Sequence, residues 1–214
     1  MDDGIRLGKC NHYLIRIIDM DVLQNIKLIL GSKSPRRSQL LQEAGFAFEI
    51  RTQDIEESFD LSTPVLDVAE DLAIRKAYSL KHTLQEEEIL LTADSVVILD
   101  NIIYNKPENY DEGVKILSAL SDRTHTVATG VCLMTNKIID SFTVVTKITF
   151  DKLSLDEIDY YLKTYQPYDK AGAYGIQDWI GWCKVKKIEG SYSNVMGLPV
   201  REVYEKIINF SNIK

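Results

Sequence analysis

Four short stretches of this sequence put a polar or charged group where an apolar run gives way to a loop or a helix. They are residues 32–37 (SKSPRR), Glu56 with Glu57, Ala93-Asp94-Ser95, and Asn105-Lys106-Pro107. Lys76 and the string KAGAYGIQ, which ends at Gln177, are candidates to join them. Residues 32–37 carry the sharpest conflict. Ser34 is placed to supply an N-cap oxygen and Pro35 fits the first helical position, so Arg36 and Arg37 fall in the first turn of a helix. There they meet unpaired backbone N–H groups and the positive end of the helix dipole, where an exposed cation is unfavourable by about 0.3–1 kcal/mol. A bound anion reverses that sign, and a strand, a short loop and a helix start make an anion site that two guanidinium groups extend. A solvated arginine pair, which costs little, is the plain alternative.

The other stretches have plain readings too. Taken singly, Asp94 is more often a turn or cap carboxylate than a catalytic one, Lys106 before a proline is usually a solvated loop residue, and Glu56 with Glu57 is usually a surface acidic patch; Gln177 by itself carries no signal. Several chemistries are excluded by spacing. His12, His82 and His125 share no motif, which leaves no basis for a histidine metal centre or a Ser-His-Asp triad. The loop GSKSPRRS lacks the second glycine and the lysine of a P-loop.

These residues need elements to hold them. Leu28, Ile29 and Leu30 read as a short buried strand broken by Gly31 and Ser32. The helix that follows repeats Leu40, Leu41 and Ala44 before Gly45 closes it. After a further strand, Asp54, Glu56 and Glu57 form an acidic cluster; Val65, Val68, Ala69, Leu72, Ala73 and Ala77 then recur at helical spacing, with Lys76 in the later half of that helix. Two apolar runs around Asp100 and Asn101 predict a hairpin, and residues 111–120 a helix. Phe142, Val144, Thr146, Ile148 and Phe150 alternate to one face of a strand, with Asn136 and Lys137 marking the turn before it. The capping-box string Ser154-Leu155-Asp156-Glu157 opens a helix that ends before Pro167. DKAGAYGIQDWIGW is a glycine-punctuated loop that brings backbone close to something. A strand over residues 182–188, a turn at Glu189-Gly190 and a closing helix after Pro199 complete the chain. Interleaved strands and helices with adjacent hairpins predict an α/β protein with a mixed sheet.

A chain of 214 residues, 45% hydrophobic and 27% charged, suits one large domain or two small lobes sharing a core. A net charge of -7 argues against broad binding to nucleic acid or to an anionic membrane surface, so a polyanion has to be met in a local basic pocket. Cys10, Cys132 and Cys183 form no C-x-x-C pair, and a reduced cytoplasm is the expected location. No segment reaches the roughly 20 apolar residues of a membrane span. Asp2 and Asp3 stand where a secretory signal is basic. Residues 1–26 are read as an N-terminal extension and residues 27–214 as the body. The first nineteen or so residues are open to three readings: an added strand, a contact segment, or a stretch upstream of a start at Met20.

Taken together and in this order, SKSPRR, DIEE, RKA, TADSVV, NKP, DKAGAYGIQ and SNVMGLP resemble the Maf family of nucleoside triphosphate pyrophosphatases. The resemblance runs from Lys27 to the C-terminal helix. It implies two lobes around a mixed, extended sheet with flanking helices and a central cleft. It also implies a cytoplasmic, homodimeric enzyme that splits a nucleoside triphosphate between the α- and β-phosphorus with a divalent metal, Mg²⁺ or Mn²⁺. Residue by residue, it implies a phosphate-binding loop at Ser32, Ser34, Arg36 and Arg37, an acidic site residue at Glu57, site lysines at Lys76 and Lys106, the proton acceptor at Asp94, and base recognition at Gln177.

These residue types suit that chemistry. A triphosphate brings about four negative charges, and a cation near about 4 Å gains on the order of 4 kcal/mol per pair at an effective dielectric of about 20, before desolvation is subtracted. Oxygen ligands such as Glu57 and Asp94 suit Mg²⁺ or Mn²⁺ better than a histidine would. An ordinary carboxylate is a weak base at neutral pH, so Asp94 is expected either to take the proton or to orient a metal-bound water. Within the family, the branch acting on 7-methyl-GTP has Trp at the position of Arg36 and Gln after the aspartate, with a different string in the glutamine loop. Arg36, Ser95 and Gln177 therefore align this sequence with the dTTP- and UTP-preferring branch. Ser95 replaces that branch's usual threonine, which is expected to loosen packing and broaden base preference. A nucleotide-binding regulator of septum formation is the alternative class, and a 7-methyl-GTP pyrophosphatase the alternative substrate.

Overall fold

The computed structural model describes Leu23, residues 26–60 and residues 62–211. Of the predicted extension, Leu23 and Ile26 lie within this range, and both pack into the core beside Leu28 and Leu41. Strand β1 (Lys27–Leu30), helix α1 (Pro35–Glu43) and strand β2 (Phe48–Ile50) form a parallel β-α-β unit with Leu28 opposite Phe48. Helix α2 (Val68–Leu80) leads into β3 (Glu88–Leu99), which runs parallel to β1. β4 (Ile102–Tyr104) folds back on β3 through Asp100 and Asn101, whose φ values of 52° and 63° are those of a tight hairpin turn. Helix α3 (Tyr110–Leu120) precedes the long antiparallel pair β5 (Thr124–Met134) and β6 (Ile139–Phe150). Helix α4 (Leu155–Tyr165), the short helix α5 (Trp179–Cys183), β7 (Val185–Glu189), α6 (Tyr192–Met196) and α7 (Val200–Ser211) complete the described chain.

The sheet is mixed, in the order β2-β1-β3-β5-β6-β7, with β4 pairing on β3. The register on β3 creates the feature that matters. Its β1 partner stops at Leu91 and its β4 partner starts at Val97, both on the edge away from β5. Residues 92–96 thus lack a partner strand on that edge, among the described residues. Side chains from both faces of β3 reach this gap.

Packing on the two faces explains why it stays open. Leu91 and Ala93 share one cluster with residues of α1 and α7, and Val97 and Leu99 share another with α3 and α4. Two helical groups therefore sit on the same face of the long strands, either side of Ser95. The opposite face carries α2, whose Ala73 and Ala77 pack with Leu90 and whose Val68 and Leu72 pack with Val96.

Most predicted elements are present, including the capping box in which Ser154 and Glu157 exchange hydrogen bonds. Three local expectations fail, one being that DKAGAYGIQDWIGW is all loop: its last residues, with Cys183, form helix α5. Ser34 occupies the N-cap position of α1, but its side chain makes no cap hydrogen bond; its own N–H instead donates to Ser32 Oγ at 3.2 Å. The loop is turned from Ser32, two residues earlier than predicted. The strand expected over residues 182–188 starts only at Val185, because Trp182 and Cys183 end α5. That helix curls tightly enough that a Cβ on Gly181 would lie 1.8 Å from the Ile176 carbonyl oxygen, and five residues are too few to show a helical period.

Candidate active site

Arg37 anchors the anion side of the gap. It projects from the first turn of α1, and its Nε donates to the Gly197 carbonyl at 2.7 Å, Nη1 to Ser32 Oγ at 3.2 Å and Nη2 to Ser95 Oγ at 3.2 Å. Ser95 Oγ in turn shares a hydrogen with Thr129 Oγ1 at 2.9 Å. Thr129 donates to the carbonyl of the fully buried Asn194, whose amide donates to Thr146 Oγ1 at 3.0 Å and to the Val127 carbonyl. Three of the five guanidinium N–H groups are thereby used to fix the side chain and two remain. Burial pulls the Arg37 pKa below the ordinary arginine value while the charge of Asp94 pulls it back up. Arg37 makes no direct ion pair among the described residues, although Asp94 and Glu57 lie close enough for their charge to act on it.

The carboxylate side is organised by one amine. Lys76 Nζ, on α2, lies 2.5 Å from Asp94 Oδ1 and 2.7 Å from Glu57 Oε1. Lys106, just beyond β4, reaches Glu57 Oε2 at 3.2 Å. Partial burial pushes the Glu57 pKa up, but the two lysines outweigh it and hold the carboxyl at about 2. Glu57 is therefore ionised at neutral pH. Glu56, its neighbour, does not line the cleft.

Arg36 closes the third side. Its Nη1 is 2.8 Å from Asp169 Oδ2, and Lys170 lies 2.7 Å from the other oxygen of the same carboxylate. The glycine-punctuated loop that follows is pinned from behind. Tyr161 Oη donates to Asp178 Oδ2 at 2.7 Å and accepts from the Gly175 N–H at 3.0 Å, while Trp182 Nε1 donates to the Gln177 carbonyl at 2.8 Å. Tyr174 is hydrogen-bonded to the buried His125 at 2.7 Å and stacked edge-on against it and Phe150.

The ten residues picked out by the resemblance and its specificity positions meet here, while Glu56 stays outside. Ser32, Ser34, Arg36, Arg37, Glu57, Lys76, Asp94, Ser95, Lys106 and Gln177 line one cleft of about 600 Å³, a size that takes a small organic ligand. Sequence reasoning missed Thr129 and Asn194, which fix Ser95, and assigned no role to Asp169, which pairs with Arg36. The strings DKAGAYGIQ and SNVMGLP already contained Asp169 and Asn194; Thr129 looks like any β-branched strand residue and gave no signal.

The donor set also bears on a metal. Among the described residues no three His, Cys, Asp or Glu side chains gather as a metal cage. Two carboxylates converging on one amine, beside a cation-lined cleft, fit a hard divalent cation that takes its other ligands from water and phosphate.

Cations gathered where the interior strand β3 lacks a partner between β1 and β4, with two carboxylates beside them, define an α/β protein with a cleft suited to a polyanionic ligand. The chain belongs to the Maf-like proteins, whose family model matches residues 27–210. It is 44% identical over 189 residues to a dTTP/UTP pyrophosphatase of Phocaeicola vulgatus, covering 88% of this chain and 98% of that protein. A dTTP/UTP pyrophosphatase of Flavobacterium johnsoniae is 44% identical over 183 residues, covering 86% and 94%. The crystal structure of a nucleoside-triphosphatase (dITP/XTP pyrophosphatase) from Mycobacterium abscessus aligns with a TM-score of 0.38 at 17% identity, over 59% of this chain and 75% of that one.

Proposed function

We propose that this protein hydrolyses dTTP and UTP to the monophosphate and pyrophosphate, clearing these nucleotides or modified pyrimidine relatives from the pool. The observation that carries the reading is Lys76 Nζ held between Asp94 and Glu57 in a cleft that Arg36, Arg37 and Lys106 also line. In this reading the two remaining N–H groups of Arg37 hold phosphate oxygens, and Arg36 exchanges its contact with Asp169 for the nucleotide. Lys76 and Lys106 offset the charge that builds on the pyrophosphate as it leaves. Asp94 holds the attacking water by accepting one of its hydrogens. The water oxygen bonds to phosphorus, the bond between the α- and β-phosphates breaks, and the proton passes to solvent. Glu57 and Asp94 would hold Mg²⁺ or Mn²⁺, which when bound supplies Lewis-acid neutralisation of the phosphate oxygens.

Gln177 carries the base preference in this reading. Its amide offers one donor and one acceptor, which suits the edge of uracil or thymine, and leaving such a group buried and unpaired costs about 1–3 kcal/mol. Trp182 steadies the backbone of that residue. Ser95 keeps its hydroxyl engaged with Arg37 and Thr129, so the methyl it lacks relative to threonine acts on packing around Arg37 first.

The test is pyrophosphate release by the purified protein with Mg²⁺ and dTTP, UTP, CTP or 7-methyl-GTP. Faster release from dTTP and UTP, abolished by Asp94→Asn with the fold intact, is expected. Release from 7-methyl-GTP alone would overturn the substrate, and tight binding without release would favour a regulator. A homodimer in the cytoplasm belongs to the same reading, and light scattering of the purified protein tests the dimer.

A further inference from the structure

Glu57 lies in an irregular segment between β2 and α2, where no ladder of hydrogen bonds holds it. Yet its carboxylate must meet two amines at once. Arg75, the residue before Lys76 on α2, explains how. Its Nη1 donates to the Ser58 carbonyl and its Nη2 to the Glu56 carbonyl, so one planar guanidinium grips the chain on both sides of Glu57. Asp71, one turn earlier on the helix, steadies the same guanidinium at 3.7 Å. Arg75 does not line the cleft, and both of its terminal nitrogens are occupied by backbone carbonyls.

We infer that Arg75 is a positioning residue that sets the Glu57 carboxylate for turnover. Adjacent residues of one helix hold it from two directions, since Lys76 meets the side chain of Glu57 while Arg75 meets the backbone that flanks it. A fixed fork matters because two carbonyls separated by one residue must be met at once, and only a planar, bidentate donor reaches both without rearranging. A lysine ammonium has three donors, but they radiate from one flexible nitrogen and lack the fixed spacing of the fork. Displacing a reacting geometry by about 1 Å can cost on the order of 100-fold in rate, so loss of this grip is expected to act on kcat.

The consequence for activity rests on the proposed pyrophosphatase reaction, and the experiment separates the two ideas. Arg75→Gln, Glu57→Gln and the double variant are compared by kcat and KM for dTTP, with thermal melting to confirm folding. Arg75→Gln is expected to lower kcat by about ten-fold or more with KM changed little, Arg75→Lys to recover part of the loss, and Arg75→Gln to add nothing in the Glu57→Gln background. Equal losses in both backgrounds, or unchanged kcat, would overturn the assignment. Amide hydrogen exchange over residues 52–60 gives a readout that needs no activity. Faster exchange in Arg75→Gln is expected whatever the enzyme turns over; unchanged exchange refutes the grip. An inactive wild-type protein with faster exchange in the variant would count against the pyrophosphatase reading and leave the positioning of Glu57 standing.

Discussion

The two adjacent arginines differ in how they are held. Arg37 is locked by three hydrogen bonds to Gly197, Ser32 and Ser95, whereas Arg36 holds a single exposed partner, Asp169. A fixed cation suits the part common to every substrate; a cation that can change partner suits the part that varies. Arg37→Ala is therefore expected to raise KM for dTTP and UTP alike, by about 10- to 150-fold if a charged hydrogen bond of about 1.5–3 kcal/mol is lost. Arg36→Trp should instead change the ratio of kcat/KM between dTTP or UTP and 7-methyl-GTP. Equal and unselective losses from both changes would refute the division. Arg37→Ala should also lower the melting temperature, since it frees the Gly197 carbonyl and leaves Ser95 with only Thr129.

At the scale of elements, the critical contact is that of α2 with β5. Gly130 sits where the helix crosses the strand, and a Cβ there would lie 2.1 Å from the Glu70 nitrogen and 2.3 Å from the Ala69 carbonyl carbon. Both obstacles are backbone, so the helix itself would have to move. Gly130→Ala is expected to destabilise by about 3 kcal/mol, the upper range for an overpacked core, and to lower kcat because α2 carries Lys76 and Arg75. Urea unfolding together with steady-state rates checks both; wild-type values would show that α2 does not rest on Gly130. Much of this scale was legible in the sequence. The strand, loop and helix around residues 32–37, the Asp100-Asn101 hairpin and the capping box at Ser154 all follow from local chemistry, and the structure contains them. The ten candidate site residues were legible because their motifs occur in a specific order. The gap along residues 92–96 was not, since it depends on β1 ending at Leu91 and β4 beginning at Val97, and register between distant strands leaves no local mark. Helix α5 escaped for the opposite reason: it is too short for any period to emerge.

For the whole molecule, acid stability is governed in part by a group outside the cleft. Burial holds the His125 imidazole at about 4, against an ordinary value near about 6.5. Between those values the unfolded chain takes up a proton that the folded chain refuses. Stability is thus unaffected by this group above about pH 6.5 and falls as the pH drops towards about 4, by about 3 kcal/mol at most. Urea unfolding at pH 7 and pH 4.5 should show a smaller difference for His125→Gln than for the wild type; equal differences would remove His125 from the account. The order of groups along the chain has a further consequence for how the protein is made. Glu57, Lys76, Asp94 and Lys106 all lie in its first half, whereas Gly197 meets Arg37 across 160 positions and Asp169 meets Arg36 across 133. Contacts so distant in sequence form late, because closing long loops delays them. A growing chain on the ribosome would present these four candidate site residues well before the far walls of the cleft exist. On the proposed reading, the cleft would be complete for turnover only once the C-terminal segments have emerged and docked.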